Sequence, residues 1–485
     1  MSNKSIGHLP ITQDHQIRKK AEEHTLSKGT FTDLRSPGLF AKWPIIGLLM
    51  FLLGGLTFGA LAFNVVNAND HLIQWDVTTA KTLHAAGQNI PSALVEYVIF
   101  GFFVGREVII IVGTVLAIYF LRKHFWREFA MVLLGPGIGG LLWYFLSRYF
   151  DRPRPPNQMQ IVLTDPSFPS GHTLSAVVFY GLLAYLLVPK MPSRFWKWVV
   201  VSLAVLVMAF IGFSRLILSG HYVTDVAAGY AIGIAWAGLI YTLVEKILPV
   251  GTVNVKEDSL TRQTSEGLRS PGLFSRWPII GVGMILLGGL SFAALGYNVL
   301  MHGSLVQLDL SIYKAMLANA KVAPPRVSEL MLFGFFIGKQ VILVTVTLLS
   351  IYFLYKHFWL ELAMLLISSA AGSVVWNFFV AYFARPRPPE QTGLPITSIP
   401  SFPSGHTMSA VICYGFLAYL VVPKMPTLFW KWTLVIVTLL IILFSGYSRI
   451  FQGNHYLTDV LGGYALGIAW AGLVYTLMEN LFRKG

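Results

Sequence analysis

The sequence predicts an all-α, polytopic membrane protein built as two tandem six-helix transmembrane bundles. Three observations predict it: long uncharged runs, a low charge content, and an internal repeat that makes up both halves of the chain. Soluble domains carry about a quarter charged residues. Here only 12% are charged and 55% are hydrophobic, with mean hydropathy +0.64, which places the chain in a bilayer. Residues 43–66 hold no charged side chain. At about 1.5 Å per residue, a helix of that length reaches about 36 Å and crosses the hydrocarbon with some tilt. A polar stretch precedes it, so it reads as a span and not as a cleavable signal peptide.

LRSPGLFAKWPIIG begins at Leu34, and LRSPGLFSRWPIIG begins at Leu268. The offset of 234 returns between Ser170 and Ser404 and between His221 and His455, and slips to 233 between Arg154 and Arg387. Repeats this long indicate a duplicated domain and not a solenoid of short units. The expected organisation is a polar, poorly ordered tail over 1–33, a first unit over 34–247, a charged connector over 248–268 and a second unit over 269–485. Spans of the first unit are expected near 43–66, 94–121, 127–149, 172–188, 196–218 and 222–246. Gly105 and Arg106 interrupt the second of these, which suggests a short re-entrant element followed by a helix from Glu107. An even number of crossings gives both halves one orientation, a parallel repeat unlike the inverted repeats of many transporters.

The net charge of +14 and pI of about 9.7 would suit a nucleic-acid binder. However, the basic residues sit mostly in short loops between apolar runs, which fits membrane orientation and an anionic substrate and argues against nucleic acid. Arg122, Lys123 and Arg127 follow the second run, and Lys190, Arg194 and Lys197 follow the fourth. The opposite loop carries Asp70, Asp76 and Glu96 against Lys81. N terminus, connector and C terminus are therefore expected to be cytoplasmic, in a cell-membrane protein with its sites on the extracytoplasmic side. The second half is less polarised, with Lys314, Lys321 and Arg326 in its first outer loop. Cys413, the single cysteine, lies in an apolar run; it permits no intrachain disulfide or cysteine zinc site and reads as packing.

Three segments break the apolar pattern in each half. They are Arg152–Pro155, Pro169–His172 and Ser214-Arg215-x5-His221-x3-Asp225, and then Arg385–Pro388, Pro403–His406 and Ser448-Arg449-x5-His455-x3-Asp459. Ionisable residues at membrane depth are costly and point to function. His221 and Asp225, four apart at the start of the sixth helix, are expected to share one helical face. The carboxylate would hold Nδ1–H and leave Nε2 free, the nucleophile–orienter part of a triad. One such pair alone reads more readily as a structural ion pair. Arg215 shifts that balance, because a planar guanidinium beside a nucleophile suits phosphate oxygens. Ser170 and Gly171 put a hydroxyl and close backbone N–H groups at a helix N-terminus, where anions are favoured. Ser170 also reads as a helix cap. His172 could protonate a leaving alkoxide. The prolines stiffen the arginine segment and project Arg152 and Arg154 beyond the third helix. Each motif is weak alone; their recurrence in order, twice, at matching offsets is the strong observation.

These residues resemble the type-2 phosphatidic acid phosphatase superfamily, whose pattern is Lys-x6-Arg-Pro, Pro-Ser-Gly-His and Ser-Arg-x5-His-x3-Asp. The second and third motifs match fully in both halves. The resemblance implies a six-helix core for each half and hydrolysis of a membrane lipid phosphate or pyrophosphate without metal or other cofactor. It implies that His221 and His455 are nucleophiles forming a phosphohistidine, oriented by Asp225 and Asp459, with His172 and His406 as general acids. Phosphate would be bound by Arg154, Ser170, Gly171 and Arg215, and by Arg387, Ser404, Gly405 and Arg449. The first motif departs from the pattern, since Ser147 and Val380 stand where it has lysine. Arg106 and Lys339, at matching outer positions, could supply the missing cation. Two other readings remain open on sequence: a lipid phosphotransferase, in which an alcohol replaces water, and a transporter or flippase with a degenerate phosphate site.

Overall fold

The computed structural model describes residues 34–67, 70–156, 158, 165–248, 267–392 and 399–482. The expected tail over 1–33 and nearly all of the expected connector lie outside the described residues. The fold is helical throughout. In the first half the helices are α1 (Pro44–Val66), α2 (Asp70–Gln88), α3 (Ser92–Val104), α4 (Glu107–Arg122), α5 (Trp126–Phe150), α6 (Gly171–Leu187), α7 (Arg194–Ile217) and α8 (Val223–Ile247). The second half repeats them as α9 (Pro278–Leu300), α10 (Ser304–Lys321), α11 (Pro325–Ile337), α12 (Gln340–Lys356), α13 (Trp359–Phe383), α14 (Gly405–Val421), α15 (Leu428–Phe451) and α16 (Leu457–Phe482). Eleven helical stretches among the described residues are long and apolar enough to span, α11 and α12 counting together as one, and the bent α3–α4 pair brings the number to twelve if it too is counted as one. Large apolar side chains such as Leu53, Leu56, Phe63 and Phe145 face outward, as a lipid-facing surface requires. The protein is a multi-pass membrane protein.

α1 starts where Pro44 pre-sets the first helical φ and then runs tightly against α8. A Cβ on Gly54 would lie 2.5 Å from the Ala231 carbonyl oxygen, and one on Gly238 would lie 2.6 Å from that of Gly47. Small residues therefore let two backbones touch where lipid provides no hydrophobic drive for association. The repeated LRSPGLF segment is latched at one end of the bundle by two buried glutamates. Glu128 accepts the Ser36 N–H at 2.7 Å, while Glu245 accepts the Ser36 hydroxyl, the Ala41 N–H and the Tyr185 hydroxyl. Ser270, Glu361, Glu479, Ser275 and Tyr419 repeat the latch.

Two features differ from the sequence expectation. The stretch after α1, expected to be an outer loop, is largely the helix α2, and α10 matches it. Neither is among the helices long and apolar enough to span, and the loop charges alone carry no signal of a helix. His221 precedes α8, which begins at Val223, so a turn and not a shared helical face sets its spacing to Asp225.

Candidate active site

The arginine segment leaves α5 through Asp151, at φ 41°, and the two arginines that follow have different partners. Arg152 turns inward, with Nη1 2.6 Å from Asp225 Oδ1 and 2.8 Å from Thr224 Oγ1, and Nη2 2.9 Å from Asp76 Oδ2. Asp76 and Asp225 are fully buried, so Arg152 neutralises carboxylates and holds the start of α8 against α2. On sequence Asp76 reads only as loop charge and not as a site residue, although QWDV around Asp76 recurs as QLDL around Asp309. Arg385 repeats the arrangement with Asp459, Thr458 and Asp309.

Arg154 turns the other way. It donates to the Asp165 carbonyl at 2.6 Å and the Gly220 carbonyl at 2.5 Å, and its Nη1 lies 3.1 Å from His221 Nε2. Burial pulls its pKa down to about 10, against the opposing pull of Asp225 and Asp165. Arg387 contacts the Ile399 and Asn454 carbonyls and His455 Nε2 in the same way.

The imidazole is held differently from the simple dyad expected. His221 Nδ1 lies 2.8 Å from the Ser167 carbonyl oxygen and 3.6 Å from Asp225 Oδ2. A carbonyl only accepts and a guanidinium only donates, so Nδ1 carries the proton and Nε2 keeps its lone pair toward Arg154. Nε2 is therefore not free: it faces a cation. Burial, then Arg154 and Arg215, holds the His221 pKa well below the ordinary histidine value. For His455, whose Nδ1 lies 3.5 Å from Asp459 Oδ2, burial is again the largest cause. Asp459 opposes it and Arg387 adds to it, bringing the pKa to about 4.

The Pro-Ser-Gly-His segment is tied to the same cluster, because the Ser170 N–H donates to the Asp225 carbonyl at 2.9 Å. Ser170 occupies the N-cap position of α6, but its side chain makes no cap bond, in contrast to the capping role expected. Gly171 has a packing reason: a Cβ there would lie 2.8 Å from the Trp143 ring, whose Nε1 donates to the Pro169 carbonyl at 3.0 Å. Arg215, in the last turn of α7, packs on Gly220, where a Cβ would lie 2.5 Å from its Nη2. His172 joins the group through Phe102, a residue that no polar signal marks. Its ring centre lies 4.7 Å from that of His172 and from the Arg215 guanidinium carbon. Phe335 bridges His406 and Arg449 alike.

Buried polar atoms almost always find a partner. Here Ser170 Oγ, His172 Nε2, and Arg215 Nε and Nη1 are buried without one, as are Ser404 Oγ, His406 Nε2 and Arg449 Nε. Each half thus gathers a hydroxyl, an imidazole nitrogen and a guanidinium edge with unused hydrogen-bonding capacity, next to a neutral imidazole gripped by a second arginine. A tetrahedral oxyanion has the charge and the acceptors to satisfy that set.

The fold and these clusters define a helical, multi-pass membrane protein with a buried, cation-lined His–Asp site in each half. The comparisons give that class a family. The PAP2 superfamily matches over residues 128–249 and 358–483, more than half of the chain, and the chain belongs to it. Phosphatidylglycerophosphatase B of Bacillus subtilis (strain 168) is 34% identical over 141 residues, 29% of this chain and 67% of that protein. A solved structure described as the first transmembrane PAP2 type phosphatidylglycerolphosphate phosphatase from Bacillus subtilis is 29% identical. It aligns with 42% of this chain and 98% of its own, at a TM-score of 0.36.

Proposed function

We propose that the chain is a membrane phosphatase with two catalytic units, 34–247 and 269–485, each hydrolysing an amphiphilic phosphate ester through a phosphohistidine. One observation carries the reading: in both halves, unpartnered Ser, His and Arg atoms are buried around a neutral His Nε2. The substrate phosphate binds among Arg154, Arg215, Ser170 Oγ and the N-terminus of α6. His221 Nε2 attacks phosphorus, forming an N–P bond as the ester P–O bond breaks. His172 gives its proton to the departing oxygen. Water then attacks phosphorus, releasing inorganic phosphate and returning the proton and the neutral imidazole. Asp225, Arg152 and the Ser167 carbonyl keep the ring in its Nδ1–H form. The second half uses His455, Asp459, His406, Arg387, Arg449, Ser404 and Gly405 in the same roles.

A site between lipid-facing helices favours an amphiphile entering sideways, such as a phosphatidylglycerol phosphate, a phosphatidic acid or a polyprenyl pyrophosphate. Similarity to phosphatidylglycerophosphatase B supports the first of these. Loop charge supports cytoplasmic termini and sites on the extracytoplasmic side. The test is phosphate release from these three lipids by the purified protein. The His221→Ala/His455→Ala double variant is expected to lose turnover, and vanadate, a phosphate mimic, to inhibit the native chain. Full activity in the double variant would refute the assignment.

A further inference from the structure

The two halves meet through a phenyl-rich cluster. Val98, Ile99, Phe102 and Phe103 pack with Leu332, Phe333, Phe335 and Phe336, and Phe103 contacts the Phe333 and Phe336 rings at 5.5 and 5.0 Å. Two ion pairs cross the same interface: Arg106 Nη2 to Glu329 Oε2 at 2.7 Å, and Lys339 Nζ to Glu96 Oε2 at 2.5 Å. Arg106 and Lys339 are equivalent positions, and so are Glu96 and Glu329, both at an offset of 233. The interface is therefore pseudo-twofold: each half gives the contact that it receives.

These pairs do not lie on a remote rim. Arg106 follows Gly105 at the break between α3 and α4, and that break abuts the proposed general acid. A Cβ on Gly105 would lie 3.1 Å from His172 Cδ2, and one on Gly338 the same distance from His406 Cδ2. Tyr180 pins the break by donating to the Val104 carbonyl at 2.8 Å, as Tyr414 does to Ile337 at 2.7 Å. The Arg106 guanidinium carbon lies 5.0 Å from the centre of the Phe102 ring that also carries Arg215 and His172. Lys339 Nζ lies 5.8 Å from Phe335, the ring shared by Arg449 and His406. The side chains of Arg106 and Lys339 are 29% and 49% exposed. Ion pairs at such exposure add little to adhesion, and burial of the phenyl cluster does more to hold the halves together.

We propose that Glu329 and Glu96 are positioning residues acting across the interface. Each holds the cation, Arg106 or Lys339, that completes the phosphate site of the opposite half, so neither site is complete within its own half. The inference rests on the proposed function. The halves are not equal in this respect. Arg106 is also held by Glu107 of its own half at 2.5 Å. The equivalent of Glu107 is Gln340, which donates to the same Glu96 oxygen at 3.2 Å. Among the described residues Glu96 is the carboxylate paired with Lys339, so its loss has the larger effect.

The test uses the full chain in two single-nucleophile backgrounds, His455→Ala to report the first site and His221→Ala to report the second. KM for a short-chain phosphatidic acid and direct binding of orthovanadate are measured in each. Glu96→Gln is expected to raise KM and the vanadate Kd about tenfold in the His221→Ala background, and Glu329→Gln about threefold in the His455→Ala background, with kcat changed less. Each effect is confined to the site across the interface, and Glu96→Asp restores part of the loss. Equal effects in both backgrounds, or none in either, would overturn the inference while leaving the phosphatase reading intact. If neither background turned over or bound vanadate, and the native chain did not either, the phosphatase reading would fall and the inference with it.

Discussion

Arg385 and Arg387 stand two residues apart in one motif, yet the structure gives them opposite jobs, and replacing each by alanine separates them. Arg385 is 8% exposed and bridges Asp309 and Asp459, which are 1% and 0% exposed. Removing it leaves two buried carboxylates without a counter-charge, and breaking a buried ion pair costs about 3–5 kcal/mol. That is a large part of the roughly 5–15 kcal/mol that usually separates folded from unfolded protein. Arg387 is partly solvated and donates to two backbone carbonyls and His455. Its loss costs about 1–2 kcal/mol of stability. Removing a positioned donor to transition-state charge, however, lowers kcat by about 10²–10³. The chain carries its own reporter, since the single cysteine, Cys413, is 1% exposed in the second half. Thermal unfolding in detergent, followed by labelling of Cys413 with a thiol-reactive fluorophore, should show a much lower midpoint for Arg385→Ala and a nearly native one for Arg387→Ala. Phosphate release in the His221→Ala background should show the reverse order of sensitivity for the folded protein at low temperature. Adding Asp309→Asn to Arg385→Ala should recover part of the midpoint. An Arg387→Ala protein as unstable as Arg385→Ala would refute the division of labour, and so would an Arg385→Ala protein that is stable but inactive.

Three further outcomes follow from the same geometry. Ser170→Ala and Ser404→Ala should leave the midpoint of thermal unfolding unchanged, because neither hydroxyl caps its helix, while kcat/KM falls about tenfold in the matching single-nucleophile background. Gly105→Ala pushes a methyl against Ile211 at 2.9 Å and His172 at 3.1 Å. The displaced acid should lower kcat more than KM, most for substrates with the poorest leaving group. In the His221→Ala background kcat/KM should hold down to about pH 5 and fall near pH 4, where His455 takes up a proton. Arg387→Met removes a cation that disfavours that proton, so the acid limb should move up in pH; a limb near pH 6.5 in the unsubstituted background would contradict the buried, neutral imidazole.

The spans and the site segments were legible in the sequence for different reasons. A span declares itself because bilayer insertion sums hydrophobicity over about twenty residues, and no single side chain can mask it. The site segments declare themselves because charge at membrane depth is rare and because duplication printed each twice. What stayed hidden depended on pairing in space. Asp76 looked like one more acid in an outer loop, though it is fully buried and holds Arg152. Phe102 is indistinguishable from its neighbours within an apolar run, yet it is the ring on which His172, Arg106 and Arg215 meet. The Ser167 carbonyl that fixes the His221 tautomer has no side-chain signature. Glu96 reads as loop charge that sets membrane orientation and Glu329 carries no sequence signal of its own, whereas each is a contact between halves. The repeat offset of 233 that relates Asp76 to Asp309 and Glu96 to Glu329 was the available signal, because a recurring isolated acid is unlike random loop composition.

The cluster also shows how one set of cations serves two needs that pull in opposite directions. A nucleophilic imidazole must be unprotonated, while a phosphate pocket must be positive. Guanidiniums meet both needs, because they stay charged where an imidazole does not. Arg154 sits 3.1 Å from His221 Nε2, the atom that attacks in the proposed mechanism. With no phosphate present, that arginine opposes protonation of the ring. In the proposed mechanism, bound phosphate gives the same donor an oxyanion to bind and releases the Nε2 lone pair toward phosphorus. The carboxylates are held back from this exchange: Arg152 and the Tyr222 N–H occupy Asp225, leaving it 3.6 Å from Nδ1. Asp225 is thus near enough to favour the imidazolium as it forms and too well neutralised to create it beforehand. Putting a full negative charge nearer the ring, by removing Arg152, should therefore raise the His221 pKa and cost nucleophile as well as stability. This links the two arginines of the motif through the histidine they flank.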